Sequence, residues 1–292
     1  MQELSLKNIK CGNMNTILKI RVGAILVALA LIFAVSCKKA TSTTTSLSTD
    51  DNNSAMDLAS LDEASSDAEN VADVAIAGGT DLRTTPSDLG SCATITLDTT
   101  SVPHVLTIDF GTTDCLGADL NYRRGKIIVT YNKGYRDSGS SHTISYDNYY
   151  FNDNRLGGSK TVTNMGRNGS GKYYYDISVD DSLYLDSTTV ISWTGNRVRT
   201  WVEGYYTASR LDDQYDIYGT TTITRPSGKW VKFDVSASDP LHTAIKCRWI
   251  ESGEVTATRS GGGSYTIDYG SGTCDRLATL TVGGKTYNIT LR

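Results

Sequence analysis

Residues 192–205 read SWTGNRVRTWVEGY. Taken two at a time they place Trp193, Arg197, Arg199, Trp201, Glu203 and Tyr205 on one side and Val198, Thr200 and Val202 on the other, which is the period of a β-strand and not of a helix. The same alternation runs through residues 229–235 (KWVKFDV), where Val231, Phe233 and Val235 oppose Trp230, Lys232 and Asp234. Residues 126–131, 142–151, 173–179 and 215–224 behave alike. Turn chemistry separates them: Pro226-Ser227-Gly228, Gly261-Gly262-Gly263 and Gly283-Gly284. Tyr outnumbers Phe 17 to 4, Gly stands at 27 and Pro at only 4, a mixture that packs on pleated surfaces and turns tightly between them. The expected fold is all-β: an antiparallel meander curled into a sandwich or a strongly twisted sheet.

One unit occurs twice. Residues 92–115 (CATITLDTTSVPHVLTIDFGTTDC) and 247–274 (CRWIESGEVTATRSGGGSYTIDYGSGTC) share an opening Cys, a hairpin, the string Thr-Ile-Asp-aromatic-Gly and a closing Cys four residues after that Gly. A further strand follows each, so the duplicated units span 92–131 and 247–292. Two copies indicate an old duplication or two equivalent ends of one sheet, and are too few for a solenoid. Folding each hairpin about its turn returns the opening Cys to the closing one. The expected disulfides are Cys92 with Cys115 and Cys247 with Cys274, each worth about 3 kcal/mol on the loop-entropy model. Neither pair has the close spacing of a zinc site, and no metal or cofactor is expected.

The N-terminus supplies an address. Residues 22–36 are all apolar or small and follow Lys19 and Arg21; the run is short for a membrane span but suits a secretory signal. Ala34 and Ser36 just before Cys37 resemble the lipobox of bacterial lipoproteins, which implies a signal peptide over 1–36 and a lipid (diacylglycerol and palmitate) on Cys37. An ordinary signal peptide and an N-terminal anchor are the competing readings. Met14 is an alternative start, and Cys11 is lost with the signal in either case. Residues 37–88 then read as a tether: Ser/Thr-rich at first, and over 50–73 holding eight acidic and no basic side chains, a solvated spacer in preference to a short helix. Residues 89–292 form a single all-β domain on this reading. Losing Lys7, Lys10, Lys19 and Arg21 together with Glu3 takes the net charge from −4 to −7, which argues against a nucleic-acid partner.

Catalytic motifs are not found. His104, His142 and His242 stand apart from any nucleophile motif. Asp109 and Asp268 hold matching places in the repeat and are the candidate carboxylate pair for a glycosidase-like hydrolase, although an Asp two residues before a strand end ordinarily caps the next turn. Residues 147–154 (DNYYFNDN) and 210–216 (RLDDQYD) offer oxygen ligands but match no EF-hand and read as solvated loops. The candidate binding face is the row Trp193, Arg197, Arg199, Trp201, Glu203, Tyr205. Burying it would strand two guanidinium charges unless each were paired, so it is expected to face solvent or a partner.

The lipobox-like Cys37, RVRTWVEGY, CRWIESG and the ending TIDYGSGTCDRLATLTVGGKTYNITL together resemble a family of Bacteroidota lipoproteins without an established activity. The resemblance implies an outer-membrane destination. Lys38-Lys39 departs from the acidic surface-export signal of that group, which leaves the leaflet open. The expectation is a non-catalytic envelope lipoprotein, held to the membrane by its lipid, that binds a glycan or protein or serves structurally. The alternative is a secreted-type hydrolase using Asp109 and Asp268.

Overall fold

The computed structural model describes residues 47–77, 89–100, 102–133, 137–207 and 209–291. The expected signal peptide, Cys37 and the tether residues 37–46 and 78–88 lie outside them. The described chain opens with a helix, α1 (Thr49–Ala77), followed by strands β1 (Thr94–Asp98), β2 (His104–Asp109), β3 (Cys115–Leu116), β4 (Tyr122–Tyr131) and β5 (Ser141–Phe151). Next come β6 (Asn154–Arg167), β7 (Tyr173–Tyr184), β8 (Val190–Glu203), β9 (Gln214–Thr224) and β10 (Trp230–Val235). The last five are β11 (Leu241–Ala244), β12 (Ser252–Arg259), β13 (Ser264–Ser271), β14 (Leu277–Val282) and β15 (Lys285–Thr290).

All fifteen strands join one antiparallel sheet in almost unbroken chain order, with β3 set beside β4 and β11 bridging β9 and β12. This is the meander expected from the short connections, in the form of a single sheet. Its outer face is polar. One row of facing residues, Thr130, Thr143, Thr161, Ser178, Asn196, Thr220, Asp234, Thr256, Thr266 and Thr281, crosses ten strands, and none of these is buried. The inner face carries Ile108, Ile127, Ile144, Val162, Ile191, Ile223, Ile267 and Leu280, which share one core with Leu58, Leu61 and Val71 of α1. Strands from both arms of the sheet therefore meet one helix, and the sheet curls around it. Gly195 of β8 and Gly219 of β9 sit at a close approach where a Cβ would come within 2.3 and 2.4 Å of the neighbouring strand's carbonyl oxygen, so the curl needs glycine at both.

The helix overturns the solvated-spacer reading of 50–73. Residues 49–77 are helical, and buried side chains occur round its whole circumference, among them Asp51, Asp57, Asp62, Asp67 and Glu69. It lies in the same compact unit as the sheet, so the domain does not begin at residue 89. Ser48 starts the helix by accepting the Asp51 N–H at 3.0 Å, and Asp50 and Asp51 occupy the first turn, where carboxylates suit the helix dipole. Ala55, Ala59, Ala64, Ala68 and Ala72 keep its girth small, so strands approach from several sides.

The duplicated units sit at opposite ends of the strand order, β1 to β4 and β12 to β15. Both disulfides form as expected, with Cα atoms 5.8 Å apart for Cys92–Cys115 and 5.7 Å for Cys247–Cys274. The equivalence extends to packing: Ile108 and Phe110 in one copy, Ile267 and Tyr269 in the other, are buried.

Candidate functional site

The row on β8 is the first correction. Trp193, Arg197, Arg199 and Trp201 point inward and are buried; Glu203 is exposed beyond a bulge, and Tyr205 is half-buried, stacked on Tyr173 with ring centroids 4.4 Å apart. The row faces neither solvent nor a partner, because the helix supplies the counter-charges whose absence would have forbidden burial. Arg197 pairs with Asp62, and Arg199 holds Glu69 at 2.9 Å and Asp73 at 2.7 Å while lying over the Tyr215 ring at 4.5 Å.

These are part of a system that runs the length of α1. Lys229 meets Asp50 at 3.3 Å and Arg259 meets Asp51 at 2.5 Å; Arg225 pairs with Asp57, and Arg248 with Glu63. Arg123 binds Asp67, which also accepts from the Tyr149 hydroxyl at 2.8 Å, and it binds Asp119 too. Lys160 reaches Glu69 at 3.2 Å and the Ser65 hydroxyl at 2.8 Å. Every acid of α1 thus answers a cation of the sheet or its loops. Such pairs add little net stability over apolar residues of the same size, but breaking one leaves a buried charge unmatched, so they fix the rotation and register of the helix.

Desolvation and pairing compete, and the outcome differs from site to site. At Asp62 burial outweighs Arg197 and raises the carboxyl pKa. Burial likewise pushes Glu63 up to about 7 against the pull of Arg248. At Glu69 burial is opposed by Arg199 and Lys160 together, and the two cations win, holding the pKa low. His142 is pushed down to about 4 by burial.

Two of these groups have opposite pH consequences. Neutral Glu63 contributes stability that is present below its ordinary pKa of 4.5 and is lost as pH rises to about 7. Neutral His142 contributes stability that is present above 6.5 and is lost as pH falls to about 4. Each is worth about 3 kcal/mol, so between pH 4.5 and 6.5 they offset one another. Glu63→Gln removes only the first. Its stability relative to the parent should therefore fall by about 3 kcal/mol as pH drops across that window. Urea unfolding of both chains at a series of pH values measures this, and a pH-independent difference would refute the assignment.

Beside the helix lies a partly open cleft with a cavity volume of about 80 Å³. Asp62, Glu63, Ser66 and Asn70 of α1 form one wall, and Arg210, Tyr215, Arg248 and Trp249 form another. Asp119 and Asn121 line it as well, together with the apolar Ile217, Leu241 and Ile250. Asp62 is buried, and its Oδ2 has no hydrogen-bond partner in the protein. None of the helix residues in this cleft was a candidate in the sequence. The legible clue was the row of inward cations on alternating strand positions, which required acids from elsewhere in the chain.

The other candidates separate. Asp109 and Asp268 each accept the N–H two residues on, Gly111 and Gly270, both at 2.8 Å, so each caps its own turn; Asp109 also meets Lys126 at 3.1 Å. Residues 147–154 divide between inward Tyr149 and Phe151 and the β5–β6 turn, where Asp153 pairs with Arg124 at 2.8 Å. In residues 210–216 Asp213 is buried, and the Asp216 carboxylate accepts from the His242 Nδ1 at 2.8 Å. Among the described residues the group spaced for a metal is Cys247, Glu251 and Cys274, whose two sulfurs are joined to each other. No helix of the described residues is long and apolar enough to cross a membrane. No protein-family model, curated protein or solved structure matches the chain.

Proposed function

We propose that this chain is a lipid-anchored protein of the bacterial cell envelope, attached through Cys37 to the outer membrane, whose sheet-and-helix domain is a non-catalytic binding module with its site in the cleft beside α1. The cleft carries the binding part: it is a concave surface lined both by polar side chains of the helix, strands and loops and by apolar ones. The order of charged, apolar and small residues ending at Cys37 supports the anchor. Mass spectrometry of the native protein should find the mature N-terminus at Cys37 with acyl chains attached, and Cys37→Ser should release the chain from the membrane fraction. A mature start at Lys38 or beyond without lipid would end this reading.

One observation favours a second reading. Glu63 is pushed up to about 7 while Asp119, on which the hydrogen bonds from Arg123 outweigh desolvation, is held low, and both line the cleft. Carboxyls whose environments drive their pKa values apart are the pattern of an acid and a base. The Asp119 carboxylate, however, is engaged by Arg123 at 2.5 and 3.0 Å, and Glu63 by Arg248. Turnover of aryl glycosides that disappears in Glu63→Gln would establish hydrolysis in place of binding.

A further inference from the structure

We propose that the ligand of the cleft is an uncharged, hydroxyl-rich molecule, a neutral oligosaccharide. This rests on the reading of the cleft as a binding site and adds the chemistry of what it takes.

The first argument is charge. The acids at the cleft are Asp62, Glu63, Asp67 and Asp119; the cations at or directly behind it are Arg123, Arg197, Arg210 and Arg248. The two sets balance, and Arg123, Arg197 and Arg248 are already engaged by those acids. A charged ligand would have to compete for one side of a pair and leave the other side buried without its partner. An uncharged ligand disturbs none of them.

The second argument is the Oδ2 of Asp62. A buried Asp62 oxygen without a hydrogen-bond partner is costly, and Asp62 lines the cleft. A ligand hydroxyl, which both donates and accepts, satisfies it without bringing charge. The Ser66 hydroxyl and the side-chain amides of Asn70 and Asn121 line the same cleft, the amide oxygens accepting from Arg199 at 3.3 Å and from Asn152 at 2.9 Å.

The third is the mixed lining. Ile217, Leu241 and Ile250 line the same cleft as the carboxylates and amides, and Trp249 adds an aromatic surface. A sugar ring has the matching division, hydroxyls round its edge and C–H groups on its faces.

Titration calorimetry of the full mature chain in detergent tests the assignment. The probes are neutral hexasaccharides of glucose, mannose and N-acetylglucosamine, an oligogalacturonide, and one acidic and one basic peptide. At least one neutral hexasaccharide should bind, with an affinity that changes little between low salt and about 1 M because no ion pair is formed. Ser66→Trp, which fills the cleft, and Trp249→Ala should each weaken binding about tenfold or more while the thermal midpoint of at least one of them stays near the parent's. Neutral-sugar binding that both variants leave intact would place the site elsewhere and overturn the proposal. Binding of only a charged probe, lost in Ser66→Trp, would overturn the ligand class and leave the cleft as a binding site. Binding of no probe of any class would remove both.

Discussion

A chain beginning at Leu89, and so lacking α1, should not reach the folded state of the full domain. Among the described residues, thirteen strands hydrogen-bonded in series share their core with one helix. Its removal would expose the inward faces of Ile108, Ile127, Ile144, Ile177, Ile191, Ile267 and Leu280, each costing on the order of 1.5–3 kcal/mol in lost burial. It would also leave Arg123, Lys160, Arg197 and Arg199 lining a concave apolar face without their carboxylates. Domains of this size are stable by only about 5–15 kcal/mol, so the losses exceed what the sheet has in hand. Circular dichroism and thermal unfolding of a Lys38–Arg292 chain and a Leu89–Arg292 chain make the comparison. The longer chain should unfold cooperatively, and the shorter should aggregate or melt without a transition. A cooperative transition at the same midpoint in both would mean that the helix is an appendage. Leu58→Ala with Leu61→Ala provides a milder version, expected to cost about 2–5 kcal/mol at each site while leaving the charges in place.

The sheet was legible in the sequence because a strand with one wet face writes its period directly: Val231, Phe233 and Val235 against Trp230, Lys232 and Asp234. The disulfides followed from the repeat, since a hairpin returns its ends to one another. The helix was hidden by its own environment. A helix against one surface shows an apolar stripe, but α1 is enclosed on all sides, so its apolar residues follow no stripe and its acids fall at every angle. Eight carboxylates over 50–73 look like a solvated run when read alone. The same eight look like one half of an interior when set against Arg123, Lys160, Arg197 and Arg199, which occupy inward positions of alternating strands. The argument that buried guanidinium groups need partners was sound at β8. It pointed outward because the partners lay more than 120 residues earlier in the chain, where sequence spacing carries no information about proximity. The cleft was missed for the same cause, as its helix wall belongs to the segment read as a tether.

Arg199→Met should be the most damaging single substitution on the sheet's inner face. Arg199 is nearly fully buried and serves two acids, Glu69 and Asp73; Lys160 also reaches Glu69, and buried Asp181, whose carboxyl pKa burial raises, is joined to Lys160 through the Ser65 hydroxyl. Methionine fills much of the space over Tyr215 and Tyr175 but leaves the group with an excess negative charge in a buried setting. The expected loss is about 3–5 kcal/mol, a fall in the thermal midpoint of about 10 °C or more for a domain of this length. Two further measurements separate this cause from a simple packing defect. Adding Asp73→Asn to Arg199→Met restores the balance, with Lys160 left to match Glu69, and should recover at least half of the loss although one more interaction has been removed. Acidification should also narrow the gap between Arg199→Met and the parent. His142 lies 3.7 Å from Asp73, burial chiefly keeps its pKa low, and the positive charge of Arg199 adds to that effect. Without Arg199 its folded-state pKa rises, so the folded variant takes up a proton that replaces part of the missing charge as pH falls from 7 towards 5. If the double variant is less stable than the single one at pH 7, and the gap is the same at pH 5, then Arg199 acts through packing and the charge-balanced interior is not what holds the helix in place.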